Sequence, residues 1–254
     1  LSFSLFTFSC GPDGDFNIFT VEDDVQLGMQ LKNEVLSNPQ EYPVMDRAQY
    51  PAAYAYVEGI VDDILNSGQI TFREEFAWEI YLLNDDENLN AFAAPGGYMF
   101  VYTGLIKFLE TKDDLAGVIA HEMAHADERH STEQLTQQYG IVFLLEILTG
   151  GNPSAIGNIL ATLVSLKFSR DDESEADRHS VIYLCETDYA ANSAASFFEK
   201  LIEQGATSPP PFLSTHPSPE NRVEAINLLA QERGCDTSFD SSPSAWQNFQ
   251  QSLP

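Results

Sequence analysis

Lys112-Asp-Asp-Leu115-Ala-Gly-Val118-Ile119-Ala-His121-Glu122-Met123-Ala-His125 is the stretch on which the fold turns. Leu115, Val118, Ile119 and Met123 recur at helical spacing, so a helix with one face in the core is predicted here. Positions four apart on a helix lie on one face, one turn apart, which brings His121 and His125 together. Two imidazoles so placed can grip one metal ion, and Glu122 beside the first can act on water held at that ion. The chemistry implied by this H-E-x-x-H pattern is zinc-assisted hydrolysis of a peptide bond. The plain alternative is a solvated helix face with two ordinary histidines. Against it, only five histidines occur in 254 residues, and the motif sits in an apolar run. A buried Glu between two His also needs a partner, which a metal site supplies.

Such a centre needs a third protein ligand and an open fourth position. Downstream the chain reads Phe168-Ser-Arg170-Asp-Asp-Glu173-Ser-Glu175-Ala-Asp177-Arg178, a second helical stretch. Glu173 and Asp177 are four apart and share a face, while Glu175 points elsewhere. If Glu173 is the third ligand, Asp177 is placed to accept a hydrogen bond from a metal-bound His and fix its tautomer. The alternative for this segment alone is a solvated acidic helix start, where carboxylates favour the N-terminal dipole.

The chain resembles the zinc metallopeptidase family that includes HtpX and the CAAX prenyl proteases, most closely its soluble periplasmic BepA-like members. Four segments carry the likeness: Asn90-Ala-Phe-Ala-Ala-Pro-Gly-Gly97, Val101-Tyr-Thr-Gly-Leu105, Glu173 to Asp177, and Ser214-Thr-His216-Pro-Ser218 with Glu220-Asn-Arg222. The resemblance implies that the first Glu of the E-x-E-A-D segment is the ligand, which is Glu173 and not Glu175. It implies one Zn2+ per chain on His121, His125 and Glu173, with Glu122 as general base and Asp177 behind a zinc-bound His. The fold implied is α+β: a mostly helical gluzincin-type domain with a small mixed sheet and an active-site helix. His216 is a further candidate with two roles left open. It can donate to the oxyanion of the reaction, or it can fill the fourth zinc position and hold the enzyme at rest. His130 and His179 are read as surface residues without a role. The segment Gly97, Tyr98, Met99 and Phe100, running on to Tyr102, is expected to be an edge strand that pairs with an extended substrate, or else simple sheet structure.

Composition bounds the partners. There are 12 Lys+Arg against 39 Asp+Glu, for a net charge of -27. Nucleic-acid binding through a basic surface and polybasic attachment to anionic membranes are both excluded as expectations. The acid reads as a heavily hydrated surface, or as a field that attracts basic substrates. No run of apolar residues is long enough to span a membrane. The longest, Ile141 to Leu148, is interrupted by Glu146 and is expected to be a buried helix, or a flap that touches other hydrophobic surfaces.

Residues 1 to 15 run from an apolar, Ser-rich stretch into Cys10 and resemble the end of an export signal. A lipoprotein anchored through Cys10, a plain signal peptide and an N-terminal strand all remain open, and an exported, periplasmic location is expected. Residues 16–254 are expected to form one metallopeptidase domain. Cys185 and Cys235 can bridge in an oxidising compartment, or one can be buried and the other loose. The function implied is an endopeptidase of the cell envelope acting on unfolded or misassembled polypeptides. A chaperone-like quality-control protein with latent peptidase activity is the rival, and a non-peptidase zinc hydrolase a remoter one. No internal repeat of the kind that chaperone-like members use to bind partners is visible.

Overall fold

The computed structural model describes residues 19–150, 153–203, 211–216, 221–239 and 242–254. The N-terminal reading, with Cys10, lies outside the described residues, as does most of the Pro-rich stretch 207–219 apart from 211–216.

The sheet is built from β1 (Glu79–Leu83), β2 (Ala91–Ala94) and β3 (Tyr98–Tyr102), in the order β1-β3-β2. β3 runs parallel to β1 and antiparallel to β2. Side chains alternate across a strand, and both faces are buried. Ile80, Leu82, Ala91, Ala93, Met99 and Val101 enter one core, and Tyr81, Leu83, Phe92, Ala94, Tyr98, Phe100 and Tyr102 enter another. The first core is closed by α2 (Pro51–Leu65), α4 (Lys112–Asp127), α8 (Arg170–Leu184) and α9 (Ser193–Glu203). The second is closed by α1 (Val21–Ser37), α6 (Ile141–Leu148) and α7 (Ile156–Val164). The result is a mostly helical α+β fold with the small mixed sheet as its middle layer.

The remaining helices are α3 (Thr103–Phe108), α5 (His130–Tyr139), α10 (Pro211–Thr215), α11 (Arg222–Arg233) and α12 (Pro243–Gln251). α5 and α6 are separate helices, because Gly140 between them takes φ +79°. The apolar α6 is half buried rather than buried. Leu144, Ile147 and Leu148 point inward while Val142 is 81% exposed. Trp78, at φ +48°, turns the chain just before β1 begins at Glu79.

Helix α4 positions the site. Thr111 and Asp114 form a capping box at its start, satisfying N–H groups that would otherwise be orphaned. Every residue from Asp113 to Asp127 is buried. Its approach to α9 depends on Gly117, where a Cβ would lie 2.5 Å from the Ala194 nitrogen. On the sheet side it meets β2, whose small Ala91 and Ala93 let it come close. A Cys185–Cys235 disulfide ties the end of α8 to the chain beyond α11.

Candidate metal centre

His121 and His125 project from α4 toward Glu173 in the first turn of α8. The His121 Nε2 and His125 Nε2 atoms are 3.1 Å apart. Glu173 Oε2 is 3.5 Å from His121 Nε2, and Glu173 Oε1 is 3.6 Å from His125 Nε2. His216, directly after α10, brings Nδ1 within 3.4 Å of His121 Nε2 and 2.9 Å of Glu173 Oε1. All four residues are buried.

The donor set fits a metal ion. Four ligands arranged tetrahedrally at about 2.1 Å from zinc are separated by about 3.4 Å, and the spacings above cluster around that value. The tautomers agree as well. His121 Nδ1 lies 3.1 Å from Asp177 Oδ1, so its proton belongs there and the Nε2 lone pair faces the cluster. Lone pairs and a carboxylate converging on one point repel each other unless a cation lies between them. Glu122 is buried beside the donors, and its Oε1 has no hydrogen-bond partner and lies 3.4 Å from His216 Nε2. Removal from water pushes its carboxyl pKa up, against the opposing charges of His216 and His121, which suits a proton acceptor.

Arg222 completes the electrostatics, and its part was not legible in the sequence. It donates through Nε and Nη2 to Asp177 at 2.6 Å each, and its Nη1 lies 2.7 Å from Glu173 Oε2. Phe198 lies under the guanidinium at 3.9 Å. No local spacing reveals this, since 45 residues separate Arg222 from Asp177. Burial favours the neutral form of both acids, yet Arg222 and His121 hold Asp177 below the usual carboxylate range. His216 and the neighbouring imidazoles hold Glu173 well below it. Burial works against the charged form of His121 too, but Asp177 and Glu173 outweigh it and raise its pKa to about 9. His125 lacks that balance, and burial pushes its pKa well below the imidazole range.

Two expectations are corrected. Gly97, Tyr98, Met99 and Phe100 do not form an edge, because β3 is hydrogen-bonded on both sides, and Gly97 lies in the turn before it. The edge toward the metal helix is β2. His130 is not a surface residue but is buried, with Nδ1 2.9 Å from His125 Nδ1. Glu175 stands outside the donor cluster and meets His130 and Arg178.

A carboxylate and two imidazoles converging from adjacent helices, with a Glu beside the first imidazole, define a metallopeptidase-type centre. The family model described as Peptidase family M48 matches residues 51–230, and the chain belongs to that family. The matched span contains all four donors, Glu122, Asp177 and Arg222. The chain is 34% identical over 159 residues to the mitochondrial metalloendopeptidase OMA1 of Arabidopsis thaliana, covering 62% of this chain and 32% of that protein. It is 27% identical over 216 residues to the protein of the same name from Schizosaccharomyces pombe, covering 83% and 62%. It is 30% identical over 172 residues to the beta-barrel assembly-enhancing protease of Escherichia coli K12, covering 61% and 35%. The chain thus spans between a third and two thirds of the length of these relatives. Family and donor set together support a metal cofactor.

Proposed function

We propose that this protein is a zinc-dependent endopeptidase of an exported compartment, acting on unfolded or misassembled polypeptides. The observation that carries the reading is the convergence of His121, His125 and Glu173 at tetrahedral spacing beside the buried carboxylate of Glu122, whose Oε1 has no hydrogen-bond partner. Zinc at these donors supplies Lewis acidity toward water and a scissile carbonyl. Glu122 takes the proton from water and passes it to the leaving amine. Asp177 holds the proton on His121 Nδ1, and Arg222 holds Asp177 and Glu173 in their ionised forms.

The substrate strand in this reading is β2 and not β3. Tyr102 donates its N–H to the Asn90 carbonyl, so with period 2 the groups of Phe92 and Ala94 also face β3. Those of Ala91 and Ala93 face outward. Ser131 Oγ donates to the Ala93 carbonyl at 3.1 Å, a bond that a pairing substrate strand would replace next to Glu122. Pairing through main-chain groups is indifferent to side chains and suits a broad range of unfolded substrates.

The disulfide supports an oxidising compartment. No helix among the described residues is long and apolar enough to cross a membrane, and a lipid anchor at Cys10 remains part of the proposal. The paired cores on the two faces of one sheet support treating residues 16–254 as one peptidase domain. A second reading, a quality-control protein whose peptidase is latent, is favoured by His216, which is buried among the donors with Phe212 stacked on it. Cleavage of unfolded casein by the metal-loaded protein, abolished by Glu122→Gln and by chelation, tests the proposal. No cleavage by wild type, even after His216→Ala, would leave only a non-peptidase role.

A further inference from the structure

His130 lies five residues beyond His125. On an unbroken helix that offset is about 500° of rotation, placing it about 140° away around the axis. The structure brings the two rings together by breaking the helix. α4 ends at Asp127, Arg129 takes φ +62°, and α5 begins at His130. A non-glycine residue in the left-handed region is disfavoured and needs surrounding contacts to hold it there. Arg129 has them: its side chain donates to Asp24 Oδ2 and to the Phe19 carbonyl, each at 2.5 Å. The two residues after His130 are also anchored, Ser131 to the Ala93 carbonyl and Thr132 to Asp24 Oδ1. The reversal is therefore built, and its result is a buried His130 with Nδ1 2.9 Å from His125 Nδ1 and Nε2 3.4 Å from Glu175 Oε2.

One assignment of protons satisfies this chain. His125 Nε2 faces the donor cluster and needs its lone pair, so the proton sits on Nδ1. Nδ1–H then donates to His130 Nδ1. That leaves His130 with its own proton on Nε2, facing the Glu175 carboxylate. His121 is supported directly by a carboxylate, while His125 is supported by an imidazole that a carboxylate in turn orients. We propose that His130 is a positioning residue that fixes the ring orientation and tautomer of His125, with Glu175 as its anchor. This rests on the reading that His121, His125 and Glu173 hold the metal.

The test measures Zn2+ affinity of the metal-free protein by competition with a chromophoric chelator. The visible spectrum of the Co2+-loaded protein and the melting temperature of the metal-free protein are recorded alongside. His130→Phe keeps a flat ring and removes the acceptor. It is expected to weaken Zn2+ binding by about 10- to 100-fold and to shift the Co2+ bands. His130→Asn restores an acceptor near the Nδ1 position and is expected to recover part of that loss. Glu175→Ala leaves His130 in place without its anchor and is expected to weaken binding by a few-fold. Wild-type affinity in His130→Phe, or equal losses in the Phe and Asn variants, would overturn the proposal. Should the Phe variant fail to fold, Glu175→Ala decides, and unchanged Zn2+ affinity and Co2+ bands in that variant would overturn it. Wild-type protein that binds no Zn2+ would instead refute the ligand assignment itself.

Discussion

Helix α4 presents two donors, and the residue just after the short helix α10 presents one, to the same point, and the two helices are held to different extents. α4 is 16 residues long, capped at its start and buried along its length, with packing to α8, α9 and β2. α10 has five residues. Its described main-chain ties to other segments are the Phe212 N–H to the Leu89 carbonyl at 3.2 Å and the Phe168 N–H to the Thr215 carbonyl at 3.3 Å. Removing His121 or His125 from the cluster requires unpacking a core. Removing His216 breaks those two main-chain bonds, its contact with Glu173 and the stack of its ring on Phe212, which itself packs on Phe197. Low local stability is where moving elements are drawn from. On the proposed reading, this difference makes His121, His125 and Glu173 the permanent ligands and His216, just past α10, the exchangeable one.

The largest expected effects test the permanent set. His121→Ala, His125→Ala and Glu173→Ala should each lose the metal and all peptidase activity. Glu122→Gln should keep the metal and lose turnover by about 10²- to 10⁴-fold, since only proton transfer is removed. Metal content and casein cleavage measured on the same samples separate the two outcomes. A Glu122→Gln variant that also loses metal would place Glu122 among the ligands.

Arg222→Met comes next. It removes the cation between two buried acids, Asp177 and Glu173, and leaves them only the imidazoles of His121 and His216. Breaking a buried pair from one side costs about 3–5 kcal/mol, read as a lower denaturant midpoint in the metal-free protein. A loss below about 1 kcal/mol would mean that the acids do not depend on this cation, and that α8 is less firmly built into the site than α4.

How much of this was legible in the sequence follows the same division. His121, Glu122 and His125 sit four apart or adjacent on one amphipathic helix, so a local period reveals them. Glu173 and Asp177 are again four apart. What the sequence concealed depends on contacts across the chain or on a break in periodicity. Arg222 finds Asp177 from another helix, and His130 reaches His125 only because Arg129 reverses the chain. The order of the strands is a third case. β3 is apolar and follows the turn at Gly96 and Gly97, both at positive φ. A strand of that kind serves equally as edge or centre, and only the parallel pairing with β1 decides. α10 was hidden by its prolines, although Pro211 at a first helical position suits a helix start.

The proton on His121 gives a smaller, graded effect. In the metal-free protein its pKa is raised to about 9, above the ordinary imidazole value of about 6.5. Protonated His121 therefore stabilises the metal-free fold fully below about 6.5, and that contribution is lost as the pH rises through about 9. Metal requires the neutral ring, so one proton leaves on binding. Apparent Zn2+ affinity should rise about tenfold per pH unit across this window and level off above it. An affinity flat through the window would show that Asp177 and Glu173 do not keep the His121 ring protonated in the metal-free protein.

His216→Ala gives the smallest expected change and bears most directly on the contrast between α4 and α10. His216 Nδ1 points at His121 Nε2 and Glu173 Oε1, and its Nε2 points at Glu122 Oε1. A ring in that position occupies the space that water and a scissile carbonyl need, and it sits against the general base. If α10 exchanges between covering the site and leaving it, the competent fraction limits the rate. Removing the imidazole should then raise casein turnover several-fold, while metal content stays unchanged because the donors of α4 and α8 remain. The opposite outcome is equally legible. A fall of about 100-fold or more with metal retained would identify His216 as a donor to the oxyanion, and α10 would belong with the catalytic machinery. A loss of metal would show that three donors are too few, so that α10 is as permanent a part of the centre as α4.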